Sequence, residues 1–410
     1  MSERECISML GSWTGYGVGT VGRFEAGVKG PRPEAWIELY PQPSRQMRCS
    51  GCQAFVTTVH DSVERWIRDL PVWGADTWLM VPRCRLACPQ CGPKLEALAW
   101  LDRYSRVTRR LAESVARLCA VLPVKHVAEF FALDWGTVKA IDHAWLSDTM
   151  GPVSLAGVET IVMDEFASQK GHRYATVVAE PATRRVLWVG RGRSRDEVRP
   201  FFEQIGPEAC ARLRAVGMDM TAAYELEVRR YCPQAIIVFD LFHVIAKFGR
   251  EVIDRVRVDE ANRLRKDPKA RHVVKSARWL LLRRRENLRT EDDHVRLDEL
   301  LRANRRLMTV YVLRDDLRAL WAYRQTAAAQ RFWNGWYRRA IRSRIKPLKR
   351  FARNLKGYLH GILAHCRWPL HTSVLEGINN KIKVIKKMAY GFRDDAYFFL
   401  KIRAAFAGIS

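Results

Sequence analysis

The amino-acid sequence predicts an α/β protein made of several domains. Three features lead to this expectation: two Cys-x-x-Cys pairs, two short helices separated by a tight turn, and a series of alternating strands and helices in which two strands end at aspartates. The chain has 410 residues, which suggests two or three domains at about 150 residues each. A long, basic and helical stretch follows the alternating series and adds an all-α part.

The chain carries a large positive charge, which indicates the kind of partner it binds. It has 70 Lys and Arg residues against 44 Asp and Glu residues, so its net charge is +26 and its pI is near 10.0. Such an excess favours a polyanion, although ribosomal and membrane-surface proteins share it. Because no amphipathic lipid-binding stretch stands out, we expect a nucleic acid as the partner.

The sequence shows neither a membrane-spanning segment nor a signal peptide, and this determines the cellular compartment that we expect. No apolar run approaches the roughly 18–20 residues that span a bilayer, and the first residues contain no apolar core of a signal peptide. We therefore expect a soluble, cytoplasmic protein. Since disulfides are rare in that compartment, the 10 cysteines are expected to be free thiols or metal ligands.

Four of the cysteines form two Cys-x-x-Cys pairs. Each pair can place two thiolates on one ion through a tight turn, and four thiolates at about 2.3 Å complete a closed tetrahedral zinc site that stabilises a fold. Gly51 and Gly92 suit the turns, and the long gap between the pairs fits a ribbon with an inserted hairpin. The alternatives are chance pairing of free thiols, or Cys84 in place of Cys88 at a poorer spacing. The predicted zinc ligands are Cys49, Cys52, Cys88 and Cys91.

A helix-turn-helix pattern follows the cysteines. Residues 123–131 have apolar side chains at helical spacing, residues 132–134 suit a turn, and Asp134 is placed to cap a second helix over residues 135–145. In helix-turn-helix proteins the second helix enters the major groove of DNA. An ordinary helical linker is the alternative. The candidate contacts to bases or phosphates are Lys125, Thr137 and Lys139.

From residue 157 onward, strands and helices alternate. Three consecutive strands form a predicted antiparallel meander, and helix, strand, helix and strand follow. The first and fourth strands both end at an acid, Asp164 and Asp219 respectively. This order resembles the ribonuclease H-like fold, in which the first and fourth strands are neighbours, so the two carboxylates would converge. The predicted strands cover residues 158–164, 173–179, 186–189, 213–219 and 235–240, and the helices cover residues 195–205 and 222–231.

A third acid is needed to hold a pair of metal ions, and Glu376 in a later helix is the candidate. Two Mg²⁺ ions about 3.5–4 Å apart can activate water and stabilise the entering and leaving oxygens of a phosphodiester. Carboxylates suit Mg²⁺, and Mn²⁺ can substitute for it. The alternatives are a structural role for the two aspartates and a capping box of Ser373 with Glu376. Asp240 is a further ligand or a hydrogen-bonding neighbour of the ligands, and His243 is a structural or a catalytic histidine.

Several stretches resemble bacterial insertion-sequence transposases of the ISL3 group. These stretches are residues 162–171, 218–224, 239–244 and, most specific to the group, 379–393. The cysteine cluster, the Asp69-Leu70-Pro71 segment, Arg85 and the helix-turn-helix also match. The resemblance covers about residues 46–406. One departure is Thr221, where many relatives have an aromatic residue.

The resemblance implies a DDE transposase whose catalytic and Mg²⁺-binding triad is Asp164, Asp219 and Glu376. It also implies that the front modules bind the terminal inverted repeats of a mobile element, and that the core cuts DNA strands and transfers them to target DNA. Because two ends are handled together, a homodimer or larger assembly on DNA is expected, associated with the bacterial nucleoid. The alternatives are a DNA-binding regulator with an inactive core and a structure-specific nuclease.

By the same resemblance, the helical block between Asp240 and Glu376 is an insertion into the core. Residues 1–45, with a short strand possible at residues 35–40, have no function that the sequence reveals. The other expected domains are a zinc-binding module (46–98), a helix-turn-helix domain (99–150), and a ribonuclease H-like core (151–245 and 371–410) interrupted by an all-α insertion (246–370).

The helical block carries a cluster of basic residues, with no acid among residues 338–350. Guanidinium groups bind phosphates, and the Trp333, Trp336 and Tyr337 rings just before the cluster can stack on unpaired bases. The alternative is a solvated helix face with the tryptophans in a core, and for the tryptophans the core is favoured. Lysines that follow Glu376 add positive charge there. The candidate DNA contacts are Arg338, Arg339, Arg342, Arg344, Lys346, Lys383, Lys386 and Lys387.

Overall fold

The computed structural model describes residues 13–24, 32–72, 74–169, 173–370 and 373–408, together with Ile7, Gly11 and Gly171. The chain divides into two compact units. The first unit contains residues 1–151 and 387–392, and the second contains residues 152–386 and 393–410.

The first unit is built on a sheet of five strands, which are β1 (Tyr16–Phe24), β2 (Glu34–Pro41), β3 (Val59–Val72), β4 (Ala75–Cys88) and β5 (Gly92–Leu95). Their order is β1-β2-β4-β3, and β5 pairs with β4. The antiparallel β3–β4 hairpin occupies the gap between the two cysteine pairs, so the prediction of an inserted hairpin is confirmed. Strand β2 confirms the short strand expected at residues 35–40.

Strand β1 was not predicted from the sequence, because it is rich in glycine and glycine is uncommon within strands. A Cβ atom on Gly17 would lie 2.5 Å from the ring of Tyr40, and one on Gly22 would lie 2.2 Å from the ring of Trp36. These residues are cross-strand partners in the β1–β2 ladder. The aromatic side chains of β2 therefore cover the glycines of β1 and supply the packing that glycine lacks.

A buried carboxylate joins the sheet of the first unit to its first helix. Asp69 on β3 is fully buried and accepts hydrogen bonds from Trp13 Nε1 at 3.0 Å and Thr108 Oγ1 at 2.6 Å. The guanidinium of Arg110 pairs with the same carboxylate. Thr108 also caps helix α1 (Arg109–Cys119) by accepting a backbone N–H. One ionised side chain therefore fixes the start of α1 against the hairpin.

Two further helices form the predicted helix-turn-helix. Helix α2 (Val124–Phe131) ends at Ala132, whose left-handed backbone (φ 50°, ψ 45°) turns the chain. Asp134 then caps α3 (Trp135–Met150) by accepting the backbone N–H of Gly136 at 2.7 Å. Helix α3 continues beyond residue 145, where the predicted helix ended. The apolar faces of the three helices meet in one core, which contains Val115, Val127 and Val138.

The second unit is built on five further strands, which are β6 (Thr160–Gln169), β7 (Arg173–Ala179), β8 (Val186–Arg191), β9 (Ala215–Met218) and β10 (Ile236–Phe239). Helix α4 (Arg195–Arg212) precedes β9 and breaks at Gly206, next to its predicted end, while α5 (Ala222–Tyr231) precedes β10. The sheet order is β10-β9-β6-β7-β8, with β9 parallel to both β6 and β10. The predicted succession of elements and the adjacency of the first and fourth strands are confirmed.

The first aspartate does not end its strand, and that prediction is wrong. Strand β6 continues past Asp164 to Gln169, because β7 pairs along this length and places Val177 opposite Asp164. Only the part of β6 up to Val162 pairs with β9. Asp164 therefore lies just beyond the β6–β9 ladder, while Asp219 directly follows the last residue of β9.

The chain between β10 and residue 364 is helical, as predicted. Its helices are α6 (Leu241–Phe248), α7 (Asp254–Arg263), α8 (Pro268–Ser276), α9 (Arg278–Leu282), α10 (Glu291–Ala303), α11 (Arg305–Ala319), α12 (Thr326–Arg342), α13 (Lys346–Lys356) and α14 (Leu359–Ala364). Trp333 and Trp336 are buried here, and Trp336 Nε1 donates to the Leu313 carbonyl at 2.7 Å. The core interpretation of both tryptophans is confirmed, and neither ring is free to stack on a base.

Two helices follow α14. They are α15 (Ser373–Met388) and α16 (Asp395–Ala405), and the turn between them contains Tyr390 and Gly391, both with positive φ. The alternative of a capping box between Ser373 and Glu376 depends on the Ser373 side chain, which lies outside the described residues. Among the described helices, none combines the length and apolar character needed to cross a membrane.

Replacing Asp69 by Asn is expected to destabilise the first unit strongly. The change removes the charge that faces Arg110, and breaking a buried ion pair costs about 3–5 kcal/mol. Urea unfolding of the zinc-loaded protein measures this loss. The matched control is Asp102→Asn, because the ion pair of Asp102 with Arg109 is exposed and such pairs contribute about 0–1 kcal/mol. Equal unfolding midpoints for the two variants would contradict the role assigned to Asp69.

Candidate functional site

Four cysteine sulfurs meet in the first unit. The Sγ atoms of Cys49, Cys52, Cys88 and Cys91 all lie within 4.8 Å of one another, and those of Cys52 and Cys88 are 3.6 Å apart. A tetrahedral ion with zinc–sulfur bonds of about 2.3 Å separates its sulfurs by about 3.8 Å. The four predicted ligands are therefore assembled at the spacing that a structural zinc ion requires.

Both cysteine pairs lie in the same kind of turn. The residue after each pair, Gln53 or Gly92, has a left-handed backbone with φ of 63° and 66° respectively. Glycine adopts this conformation readily, so Gly92 was visible in the sequence, whereas Gln53 was not. A Cβ atom on Gly51 would lie 3.0 Å from Cys91 Sγ. A glycine at this position therefore lets the second pair approach the first.

Backbone N–H groups favour the ionised form of the first cysteine. Hydrogen bonds from the N–H groups of Cys52 and Gly51 lower the pKa of Cys49 to about 7. The thiolate, and not the thiol, is the form that binds zinc. Cys84 lies outside the group of four sulfurs; it is buried, and its Sγ is 3.4 Å from a guanidinium nitrogen of Arg45.

In the second unit, the β6–β9 register brings two acids together. Val162 pairs with Gly217 in the parallel ladder, and Asp164 and Asp219 each lie two residues further along. Because adjacent strands are about 4.8 Å apart and side chains alternate between faces, the two carboxylates share one height and one face. Burial raises the pKa of Asp164 to about 6, and the charge of Asp219 contributes to the rise. Two acids held this way favour a bound cation.

Three groups surround the carboxylate of Asp164. Asn379 Nδ2 on α15 donates to Oδ2 at 2.9 Å, and the backbone N–H of Glu165 donates to Oδ1 at 2.8 Å. His243 Nε2 on α6 lies 3.9 Å from Oδ1, and its charge opposes the rise in the Asp164 pKa. His243 was a candidate from the sequence, whereas Asn379, the first residue of the family-specific stretch 379–393, was assigned no role. The available signal was that Asn379 follows Glu376 by three residues, which is close to one helical turn.

Local hydrogen bonds orient the other two aspartates. Thr221 Oγ1 donates to Asp219 Oδ2 at 2.7 Å, and the Thr221 backbone N–H donates to Oδ1 at 3.1 Å. Asp240 is buried and caps α6 by accepting the backbone N–H of Phe242 at 3.1 Å. Thr221 therefore fixes the orientation of Asp219, and Asp240 stabilises the start of α6.

Glu376 is exposed on α15, three residues before Asn379. Side chains at this spacing are neighbours on a helix, with Cβ atoms about 5–6 Å apart. Its carboxylate does not join Asp164 and Asp219 in one compact set, since within the described residues the four cysteines are the only group of three or more potential ligands within 4.8 Å. The structure thus brings the two aspartates together and puts Glu376 beside the asparagine that contacts Asp164.

Most of the basic residues singled out in the sequence are accessible to a partner. Arg339 forms an ion pair with Asp316 at 2.7 Å, while Lys383 and Lys386 each donate to a nearby oxygen of the chain at 3.1 and 2.9 Å. The remaining positions of this set are exposed: Arg338, Arg342, Arg344, Lys346 and Lys387.

The helix-turn-helix candidates also lie on the surface of the first unit. Thr137 is exposed in the first turn of α3, and Lys139 is half-buried with its ammonium 5.9 Å from the centre of the Trp135 ring. Trp135 is itself exposed at the first position of α3. Lys125 forms an exposed ion pair with Glu129 at 3.8 Å. The start of α3 therefore presents polar, basic and aromatic groups together.

Three family models match successive parts of the chain. The model for the zinc finger of the transposases of IS204, IS1001, IS1096 and IS1165 matches residues 45–91. The model for the helix-turn-helix domain of transposase family ISL3 matches residues 96–146. The ISL3 transposase model matches residues 161–402. The two modules and most of the second unit thus resemble one family.

Two known proteins are similar over most of the chain. The transposase for insertion sequence element IS1001 of Bordetella parapertussis is 54% identical over 410 residues, which is 100% of this chain and 99% of the relative. The transposase for insertion sequence element IS1557 of Mycobacterium tuberculosis is 28% identical over 398 residues, which is 90% of this chain and 88% of the relative. The similarity therefore extends through both units.

Replacing Cys88 by Ser is expected to release zinc from the protein. The change removes one of four sulfurs from a site whose binding energy of about 10–16 kcal/mol is coupled to folding. Metal analysis of the purified protein should show a loss of its zinc, and thermal unfolding should begin at a lower temperature. The matched control is Cys84→Ser, a buried cysteine outside the cluster, which should retain the metal. Retention of zinc by the Cys88 variant would refute the assignment.

Proposed function

The chain belongs to the ISL3 family of insertion-sequence transposases, and from this premise we propose that it cuts DNA strands at the ends of its element and joins them to target DNA. The observation that carries the proposal is the pair of acids, Asp164 and Asp219, set side by side by the β6–β9 register. Paired carboxylates are the ligands with which proteins hold divalent cations for phosphodiester chemistry.

The oxygen atoms around this pair suit Mg²⁺ or Mn²⁺. The two aspartates offer carboxylate oxygens, and Glu376 offers another from the neighbouring helix. Hard cations such as Mg²⁺ prefer oxygen ligands of this kind. When bound, two cations would supply charge stabilisation to the entering and leaving oxygens of the phosphodiester. The acids of the chain would hold the ions and the scissile phosphate in register.

The architecture supports the proposal. The observed sheet order, with the first and fourth strands adjacent, is the order expected for a ribonuclease H-like core. We assign the chain as a zinc-binding module (46–98), a helix-turn-helix domain (99–150), a ribonuclease H-like core (151–245 and 371–410) and an all-α insertion (246–370).

DNA binding is assigned to the front modules and to the basic helices. The first turn of α3 would enter the major groove of a terminal inverted repeat, and arginines of α12 and of the turn before α13 would contact phosphates. The net charge of +26 supports both assignments. Because the two ends of an element are processed together, we expect a homodimer or a larger assembly on DNA.

Replacing Asp164 by Asn is expected to abolish strand cleavage and strand transfer while leaving affinity for the terminal repeat unchanged. An amide does not replace the charge of a shared carboxylate, so the loss should exceed the roughly 10–100-fold seen when a residue only supports a metal ligand. Gel assays on labelled element ends with Mg²⁺ or Mn²⁺ measure both steps. The matched control is Glu159→Gln, because Glu159 is exposed just before β6 and pairs with Arg214 at the surface.

Other functions would give different results in the same assay. A DNA-binding regulator would bind the repeat and show no metal-dependent cleavage in the wild-type protein. A structure-specific nuclease would cut branched DNA or RNA–DNA hybrids without needing the repeat sequence. Cleavage by the Asp164 variant at the wild-type rate would refute the acidic site itself.

Replacing Arg342 by Ala is expected to weaken binding to every duplex by a similar factor. Arg342 is exposed in the last turn of α12, and losing one phosphate contact should reduce the slope of log affinity against log salt by about 1. Fluorescence anisotropy at several salt concentrations measures this slope. Arg302→Ala, an exposed arginine on α10, is the control and should leave the slope unchanged. Equal slopes for both variants would count against the basic cluster as a DNA surface.

A further inference from the structure

An amide on α15 reaches the acidic site from a different element. Asn379 Nδ2 donates to Asp164 Oδ2 at 2.9 Å, across 215 positions of sequence. A carboxylate only accepts hydrogen bonds, so the amide nitrogen, and not the amide oxygen, must face it. The amide oxygen of Asn379 is buried and unpartnered among the described residues. The hydrogen bond to the Asp164 carboxylate therefore fixes the orientation of the Asn379 amide.

A second contact shows how α15 lies along β6. Lys386 Nζ donates to the carbonyl of Ala167 at 2.9 Å. From Asp164 to Ala167 the strand advances about 10 Å, and from Asn379 to Lys386 the helix advances about 10.5 Å. Later residues of the helix thus contact later residues of the strand, and the short side chain of Asn379 marks the height at which α15 meets Asp164.

The way α15 lies along β6 determines the position of the third acid, Glu376. Glu376 precedes Asn379 by three residues, which is about 4.5 Å along the helix axis and on a neighbouring part of its surface. Glu376 itself is exposed, and no hydrogen bond or ion pair joins it to the other described residues. Its position relative to the aspartates therefore follows from how α15 docks. Leu375, Ile378 and Ile382 of α15 are buried, and the bond of Asn379 to Asp164 adds the polar contact that aligns the helix with the site.

We propose that Asn379 is a positioning residue of the acidic site, whose amide docks α15 against Asp164 and thereby brings Glu376 level with the two aspartates. The inference rests on the proposed function, since it concerns the same site. Asparagine suits this task because its N–H binds one carboxylate without adding a further negative charge to the group. An acid at the same position would repel Asp164 instead of holding it.

Binding of Mn²⁺ to the full-length, zinc-loaded protein tests the proposal without depending on activity. Electron paramagnetic resonance of free Mn²⁺ gives the affinity of the wild type and of Asn379→Ala, Asn379→Asp and Asn379→Gln. We expect about 10–100-fold weaker binding for the alanine variant, no recovery with aspartate, and partial recovery with glutamine, which keeps the amide on a longer arm. If the alanine variant unfolds, the comparison of aspartate with glutamine carries the test.

The matched control is Asn380→Ala. Asn380 is the next residue on the same helix, is exposed, and accepts a hydrogen bond from Lys383. This variant should bind Mn²⁺ as the wild type does. In cleavage assays on element ends, Asn379→Ala should lower kcat, while its affinity for the terminal repeat should equal that of the wild type.

The outcomes separate this inference from the proposed function. If Asp164→Asn loses Mn²⁺ binding but Asn379→Ala keeps it, the positioning role is refuted and the acidic site stands. Tighter Mn²⁺ binding by Asn379→Asp would also refute the positioning role, because it would make the residue an oxygen ligand. If Asp164→Asn and the wild type bind Mn²⁺ equally, the proposed metal site itself fails.

Discussion

The parallel pairing of β6 with β9 is the constraint on which the second unit depends. It sets Asp164 and Asp219 at one height on one face, where like charges about one strand spacing apart repel. Donors from Glu165, Thr221 and Asn379 offset part of this repulsion. The site is therefore stable enough to fold and still carries an excess of negative charge, which is the condition for taking up cations from solution.

Two buried aspartates, Asp69 and Asp164, differ in how completely their charge is compensated. Asp69 accepts from Trp13, Thr108, Arg110 and the backbone of Leu70, so both of its oxygens are fully engaged and its charge is neutralised by an arginine. Asp164 has a neutral amide and a backbone N–H as donors and a histidine at 3.9 Å. The charge of Asp69 is therefore neutralised by an arginine, whereas the described residues compensate the charge of Asp164 less completely.

An element or a site residue could be predicted from the sequence when the contacts that determine it are local in the chain. Strand β7 and helix α5 have the predicted bounds because apolar runs and turn residues mark them. The cysteines and the two aspartates were visible by residue type and spacing. Glu376 was a candidate from its place in a later helix, with a capping box as the alternative, and the family resemblance implied its place in the triad. The end of β6 beyond Asp164 depends on pairing with β7, the left-handed backbone at Gln53 depends on the cysteine cluster, and the contact of Asn379 depends on docking between distant elements. These three features depend on contacts between distant parts of the chain, so no local sequence pattern predicts them.

The placement of the β3–β4 hairpin has a consequence for how the first unit can vary. Its two ends are joined at the cysteine cluster, where Cys52 and Cys88 are 3.6 Å apart at their sulfurs, so the intervening chain is a closed loop. Doubling the length of a flexible segment costs only about 0.6 kcal/mol, and residues 53–58 are the part of this loop that lies before the strands of the hairpin. Insertions between Cys52 and Val59 are therefore cheap for the fold. Insertions within β3 or β4 would instead break the pairing of the hairpin and displace the carboxylate of Asp69 from α1.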